Sequence, residues 1–178
     1  MTHHYDDHPG QGDHIINQAL AILESRQRHL GHAFTQPKAA ADFLRLKMGE
    51  YEREVFAVML LDNQHRLLDY QELFFGTINA GTVHPREVVK AALNKNSAAV
   101  ILAHNHPSGM VDPSDADKAV TARLKELLEM VDVRVLDHFV VGQHDIVSFA
   151  DRGLLWPHPN SYRLCSTRSS AATPMPLP

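Results

Sequence analysis

The chain has 178 residues, 44% hydrophobic and 21% charged, and its formal net charge of −4 argues against a broad basic surface for nucleic-acid phosphates. Its length fits one domain, and its single cysteine excludes an intrachain disulfide framework and zinc sites built from several thiolates. No stretch has the composition of a membrane span or a signal peptide, so we expect a cytoplasmic protein without a membrane partner.

Composition divides the chain into four parts. Residues 1–12 are rich in histidine and residues 156–178 are rich in proline and serine, so both ends are predicted to be disordered. Residues 13–37 are predicted to supply an N-terminal packing helix, capped by Asp13, with an inward stripe at Ile15, Ile16, Ala19, Leu20 and Leu23. Residues 38–155 are the predicted main domain, and a second helix covers residues 37–46.

Two apolar segments predict strands that are covered on both faces. Residues 54–61 are apolar at both parities after Glu54, which is typical of a central strand, and residues 98–103 repeat this pattern. Residues 66–75 are more polar and end at Gly76, so they predict a hairpin return. A helix is expected over residues 85–95, with Val88, Val89, Ala92 and Leu93 facing inward.

The last elements complete a mixed fold. Asp112 is the predicted N-cap of a helix that has Pro113 at its first position, and Asp115 approximates a capping box. The inward stripe of this helix is Val120, Leu124, Leu127, Leu128 and Val131. Strands are expected over residues 133–141 and 146–149. The order predicts an α/β fold of the α+β type, in which helices flank a partly antiparallel sheet.

Two histidines stand where the second buried strand ends. About one His-x-His pair is expected by chance in a chain with thirteen histidines, so the position of this pair is its informative property. Strand residues two apart point to the same side, so His104 and His106 can converge on one point.

Asp117 is predicted to join them. It extends the inward stripe of the following helix by one turn, and a buried carboxylate needs a partner such as a divalent cation. Two histidines and one carboxylate, with a fourth position open for water, are typical of a catalytic zinc site.

Hydrolysis at such a site also needs a carboxylate that moves a proton. Glu54 is the preferred candidate because it opens the first buried strand on an otherwise apolar face, and Glu52 and Glu72 are the alternatives. Ser114 could donate a hydrogen bond to an oxyanion, or it could serve as a helix-cap residue. His138 is interpreted as a hydrogen-bonded strand histidine rather than a fourth ligand.

These residues resemble a known motif. His104-Asn105-His106-Pro107, then Ser114 after seven residues and Asp117 after two more, resemble the JAMM metalloprotease motif. Over residues 38–155 the chain looks like the RadC family of bacterial MPN-domain proteins, with further matches in Gly76-Thr77, residues 85–88, residues 98–109 and Asp137-His138. The resemblance implies an MPN fold with a layered, cytidine-deaminase-like architecture. It also implies zinc on His104, His106 and Asp117, Glu54 as acid/base, and Ser114 as oxyanion donor.

The functions implied by the resemblance fall into three classes. JAMM relatives cleave peptide or isopeptide bonds, so the leading hypothesis is a zinc metalloprotease that acts on a protein or peptide. A noncatalytic MPN-type module that binds a protein partner is the second hypothesis. A DNA-repair accessory or metal-dependent nuclease is the third, although the negative net charge gives nucleic-acid binding no support. The oligomeric state stays open.

Overall fold

The computed structural model describes residues 14–23, 33–34, 36–76 and 83–155, so the leader and tail predicted at the chain ends lie outside the described residues. Helix α1 covers residues 14–23, and Asp13, its predicted cap, also lies outside. Leu20 is buried as predicted, but Ile15 is 61% exposed, so its predicted inward position is wrong. Within the described ranges, no helix has both the length and the apolar character that crossing a membrane requires.

A five-stranded sheet forms the centre of the fold. Its strands are β1 (Val55–Leu61), β2 (Leu67–Phe75), β3 (Ala99–Asn105), β4 (Arg134–Val141) and β5 (Ile146–Ser148), in the spatial order β2-β1-β3-β4-β5. Strand β1 pairs antiparallel with β2 and β3, β3 pairs parallel with β4, and β4 pairs antiparallel with β5. This mixed sheet confirms the predicted fold class. All residues of β1 and β3 are buried, as their apolar composition at both parities predicts.

Helices cover both faces of the sheet. Helices α1 and α2 (Pro37–Met48) pack on one face, where Phe43 and Leu44 of α2 are buried. Helices α3 (Pro85–Asn94) and α4 (Asp115–Glu129) pack on the other face and bury Val88 and Leu124. We call these the α2 face and the α4 face. Leu93 was predicted to face inward, but this is wrong: it is 51% exposed, and α3 instead buries Val88, Ala91 and Ala92.

Helix α4 begins two residues later than the sequence pattern predicts. Ser114 is the N-cap, and its side chain and that of Asp117 form a reciprocal capping box. The predicted cap, Asp112, instead forms an ion pair with Arg152 at 2.7 Å. The prediction was wrong because Pro113 stands before the helix, whereas Ser114 has the extended backbone that an N-cap requires. This start places Asp117 in the first turn of α4.

Candidate metal centre

His104 and His106 project from the end of β3 on the α4 face, and their Nε2 atoms lie 3.0 Å apart. Strand β3 ends two residues later than predicted, so His104 pairs with β1 on one side and β4 on the other. Its side chain is fully buried and stacks on the ring of Phe56 at an interplanar angle of 11°. His106 follows directly and donates its backbone N–H to the Val141 carbonyl. The pair is therefore held by a rigid, hydrogen-bonded strand.

Asp117 approaches both rings from α4. Its Oδ1 atom lies 3.4 Å from His104 Nε2, and its Oδ2 atom lies 3.8 Å from His106 Nε2. Oδ2 accepts hydrogen bonds from the Ser114 backbone N–H at 2.8 Å and from the Ser114 hydroxyl at 2.6 Å. Oδ1 is buried, and no hydrogen bond reaches it from the residues that the structure describes. One carboxylate oxygen is thus fixed by Ser114, and the other faces the histidines.

The protonation state of Asp117 suits a ligand. Burial raises the pKa of the carboxyl group, but the His104 imidazole, when it is protonated, and the two Ser114 donors lower the pKa by a larger amount, so it lies well below the usual range. The carboxyl group is therefore ionised at neutral pH, and a buried anion of this kind needs a positive partner.

Glu54, the residue before β1, is the second carboxylate at the centre. Ligand atoms of Glu54, His104 and His106 all lie within 4.8 Å of one another, and this is the one such group of three among the described residues. Glu52 and Glu72 line a separate cavity with Tyr51, whose hydroxyl donates to Glu72. Of the three glutamates considered from the sequence, the structure brings Glu54 to the histidines.

The second ring nitrogen of His106 defines its tautomer. His106 Nδ1 lies 2.6 Å from the Met110 carbonyl oxygen, which can only accept a hydrogen bond. The ring therefore carries its hydrogen on Nδ1, and the neutral ring presents a bare Nε2 to the centre. A backbone carbonyl that orients a ligating histidine in this way is common around metals in proteins.

The donor set and its spacing fit a divalent metal such as zinc. Tetrahedral zinc with ligands about 2.1 Å away places ligand atoms about 3.4 Å from one another. The distances of 3.0, 3.4 and 3.8 Å among His104, His106 and Asp117 bracket that value. The buried Asp117 Oδ1 atom, which no described donor satisfies, is the group that a bound cation would satisfy. Imidazole nitrogen with carboxylate oxygen is a ligand combination that zinc accepts.

Ser114 has both of its hydrogen-bonding functions engaged with Asp117. Its oxygen accepts the backbone N–H of Asp117 at 3.2 Å, and its hydroxyl hydrogen is donated to Asp117 Oδ2. Ser114 therefore caps α4 and positions the carboxylate in this structure. Its predicted role as oxyanion donor stays a prediction, and it requires the hydroxyl hydrogen to turn away from Asp117.

Two residues behind His104 complete the surroundings of the centre. His138 Nε2 lies 2.8 Å from His104 Nδ1, and His138 Nδ1 lies 2.6 Å from the Thr121 hydroxyl. Burial and the neighbouring His104 hold the pKa of His138 well below its usual range, so its ring is neutral. Sequence reasoning overlooked Thr121, although its position four residues after Asp117 places it on the same side of α4.

Comparisons with known proteins agree with this fold and site. The family model described as RadC-like JAB domain matches residues 34–154. A UPF0758 protein of Vibrio cholerae is 55% identical over 145 residues, which cover 82% of this chain and 91% of that protein. A UPF0758 protein of Idiomarina loihiensis is 53% identical over 152 residues, which cover 82% of this chain and 68% of that protein.

Proposed function

Because this chain belongs to the family of RadC-like JAB domains, we propose that it is a zinc-dependent hydrolase that cleaves an amide bond in a protein or peptide. One observation carries the proposal. Two histidines and the carboxylates of Asp117 and Glu54 lie together around a buried carboxylate oxygen that no described donor satisfies. A set that leaves one coordination position open is typical of catalytic rather than structural zinc sites.

His104, His106 and Asp117 would hold the ion. Bound zinc lowers the pKa of a coordinated water to about 7 and polarises a substrate carbonyl. The residues of the chain determine where this can happen. His104 and Asp117 are buried against the sheet, whereas His106 and Glu54 are partly exposed, so substrate would approach from the side of His106 and Glu54.

Glu54 would move the proton. Its carboxylate lies close enough to both histidines to act directly or through one water, and it is partly exposed, so a substrate can reach it. In amide hydrolysis Glu54 would accept a proton from the attacking water and then donate it to the leaving amine. Ser114 would assist by turning its hydroxyl from Asp117 toward the developing oxyanion.

The alternatives are less well supported. Phosphodiester hydrolysis usually employs two metals about 4 Å apart with additional carboxylates. Among the described residues, the candidate group comprises Glu54, His104 and His106, with Asp117 nearby, which suits one ion. A noncatalytic binding module would not need this donor set. We further propose a cytoplasmic location, since the lone cysteine of the sequence suits a reducing compartment.

The experiment that tests the proposal separates metal binding from catalysis. Purified protein is analysed for zinc and assayed on a quenched-fluorescence peptide library and on lysine-linked isopeptides. Glu54→Gln should retain its zinc and lose about 10²- to 10⁴-fold in rate, because general acid–base catalysis contributes an effect of that size. Glu126→Gln, an exposed change on α4, is the matched control and should retain full activity. Equal rates for Glu54→Gln and wild type, or purified protein that binds no zinc, would refute the proposal.

A further inference from the structure

A chain of three buried side chains runs behind the candidate metal centre. His104 of β3, His138 of β4 and Thr121 of α4 are each at most 2% exposed. Their polar atoms lie in sequence at 2.8 Å and 2.6 Å, and the Thr121 hydroxyl also lies 2.6 Å from the backbone carbonyl oxygen of Asp117. The chain therefore begins on one candidate ligand, Asp117, and ends on another, His104.

The hydrogen bonds of the Thr121 hydroxyl determine where each hydrogen of the chain lies. A hydroxyl has one hydrogen to donate, and the Asp117 carbonyl oxygen can only accept one, so the Thr121 hydrogen points to that carbonyl. The Thr121 oxygen must then accept from its other neighbour. His138 consequently carries a hydrogen on Nδ1 and donates it to Thr121.

The same reasoning extends to the metal centre. An imidazole whose single hydrogen is on Nδ1 has a bare Nε2, so His138 Nε2 can only accept. His104 Nδ1 must then carry a hydrogen and donate it to His138 Nε2. With its single hydrogen on Nδ1, His104 has a bare Nε2, and this atom faces His106 Nε2 and Asp117 Oδ1.

Aromatic contacts hold both rings in the orientation that the chain requires. Phe149 stacks on His138 with ring centroids 4.6 Å apart and an interplanar angle of 23°. Phe56 stacks on His104 and meets His138 edge-on at 5.6 Å. These contacts fix the plane of each imidazole, and the hydrogen bonds at 2.8 Å and 2.6 Å fix which ring edge faces which neighbour.

We propose that Thr121 and His138 are positioning residues that fix His104 in its Nδ1–H tautomer, so that its Nε2 lone pair is presented to the metal before the metal binds. This inference rests on the proposed metal-dependent function, although it does not require that the reaction be amide hydrolysis. It also explains why a threonine stands on the inward side of α4, where its hydroxyl links the helix that carries Asp117 to the strands that carry the histidines.

The opposite pair of tautomers would present a hydrogen, and not a lone pair, to the metal. If the His138 hydrogen were on Nε2, His104 Nδ1 would have to accept it, and the His104 hydrogen would lie on Nε2. His104 would then donate toward Asp117, and its metal-facing nitrogen would be blocked. The two arrangements differ in which nitrogen of His138 carries the hydrogen, and this can be measured.

The first test records long-range ¹H–¹⁵N correlations of the imidazoles in the unaltered full chain, with zinc and after its removal. We expect His138 as the Nδ1–H tautomer in both samples and His104 as the Nδ1–H tautomer in both. A His138 hydrogen on Nε2, or a His138 ring protonated on both nitrogens, would overturn the proposal. This measurement needs no variant that could fail to fold.

The second test measures zinc affinity by competition with a chelator. Thr121→Val removes the hydroxyl with little change of shape, and we expect zinc affinity to fall about 10- to 100-fold, as is typical when a group that orients a metal ligand is lost. Thr121→Ser keeps a hydroxyl and should restore the affinity to near wild type. Ser148→Ala removes a buried hydroxyl on the α2 face and should leave zinc affinity unchanged.

The outcomes separate this inference from the proposed hydrolase. Folded Thr121→Val with wild-type zinc affinity, or an equal loss in Ser148→Ala, would overturn the positioning role. Correct tautomers and a Thr121-dependent affinity in a protein that cleaves no peptide would leave the positioning role intact and refute the hydrolase. Peptide cleavage together with a His138 hydrogen on Nε2 would support the hydrolase and refute the positioning role.

Discussion

Two pairs of buried polar residues on opposite faces of the central sheet differ in their hydrogen-bond partners. Neighbouring residues of β3 and β4 point to opposite faces, so His104 and His138 lie on the α4 face while Asn105 and Asp137 lie on the α2 face. All four are buried. The two pairs come from the same two strands and are equally buried, so they differ mainly in their hydrogen-bond partners.

On the α2 face the hydrogen bonds of Asn105 and Asp137 balance, whereas the isolated Tyr70 hydroxyl on this face has no partner among the described residues. Asn105 accepts from the Val55 backbone N–H and donates to the backbone carbonyl oxygens of Tyr51 and Arg53. Asp137 accepts from the backbone N–H groups of His138 and Ala150 and from the Ser148 hydroxyl. These polar groups fix the start of β1 and the chain that follows β5, and their satisfied state marks them as structural.

At the candidate metal centre on the α4 face, acceptors outnumber donors. The tautomers inferred for His104 and His106 leave two bare nitrogens 3.0 Å apart, and Asp117 Oδ1 has no described donor. Three acceptors that face one another repel, and a bound cation would satisfy them. A buried polar cluster thus indicates a binding site when its donors and acceptors do not balance, and burial alone does not distinguish the two cases.

The largest expected effect compares the two buried aspartates. Asp117→Asn should abolish zinc binding, since it removes the carboxylate charge from the donor set. Asp137→Asn should retain zinc. It should lower the free energy of unfolding by about 1–3 kcal/mol, because the new amide N–H₂ is a donor and would face the N–H and O–H donors that now bind the carboxylate. Metal analysis and urea denaturation of both variants provide the measurements. Zinc retained in Asp117→Asn would contradict the assignment of Asp117 as a ligand. Zinc lost in folded Asp137→Asn would contradict the assignment of Asp137 as structural.

A smaller effect tests the start of α4. Ser114→Ala should lower the free energy of unfolding by about 1 kcal/mol, the usual cost of losing an N-cap side chain. It should also weaken zinc binding, because Asp117 loses the hydroxyl that holds its Oδ2 atom. Asp112→Ala, at the cap position that the sequence pattern favoured, should change neither quantity by much, since its ion pair with Arg152 is exposed. A larger loss of stability in Asp112→Ala than in Ser114→Ala would contradict the structure.

The smallest effect is a difference in pH dependence. Burial raises the pKa of Asp137 by more than its hydrogen bonds lower it, so this pKa lies above 3.8. The pKa of Asp117, in contrast, is depressed. A raised pKa means that the folded state binds more protons, so the contribution of Asp137 to stability should fall as pH rises from about 4 through its folded pKa. Relative to Asp137→Asn, the wild type should therefore lose stability over this range. Denaturation of zinc-free protein between pH 4 and 7 measures the difference, and a rise would show that the sign is wrong.

Much of this arrangement could be predicted from local patterns. The apolar runs of β1 and β3 predicted the central strands, and the strand period placed His104 and His106 on one side. The helical period placed Asp117 inward. The exposure of Ile15 and Leu93 could not be predicted, because periodicity indicates an apolar side of a helix but not how far the neighbouring layer covers it.

The sequence by itself determined which residue types meet at the end of β3, because strand and helix periods act over a few residues. The tertiary structure decided which of them lack partners. Thr121 and His138 are seventeen residues apart, and the crossover from α4 to β4 brings the hydroxyl to the imidazole. Hydrogen-bond balance is a property of atoms from separate elements, so the contrast between Asn105, which is satisfied, and Asp117, whose Oδ1 atom has no described donor, appears only after the layers have packed.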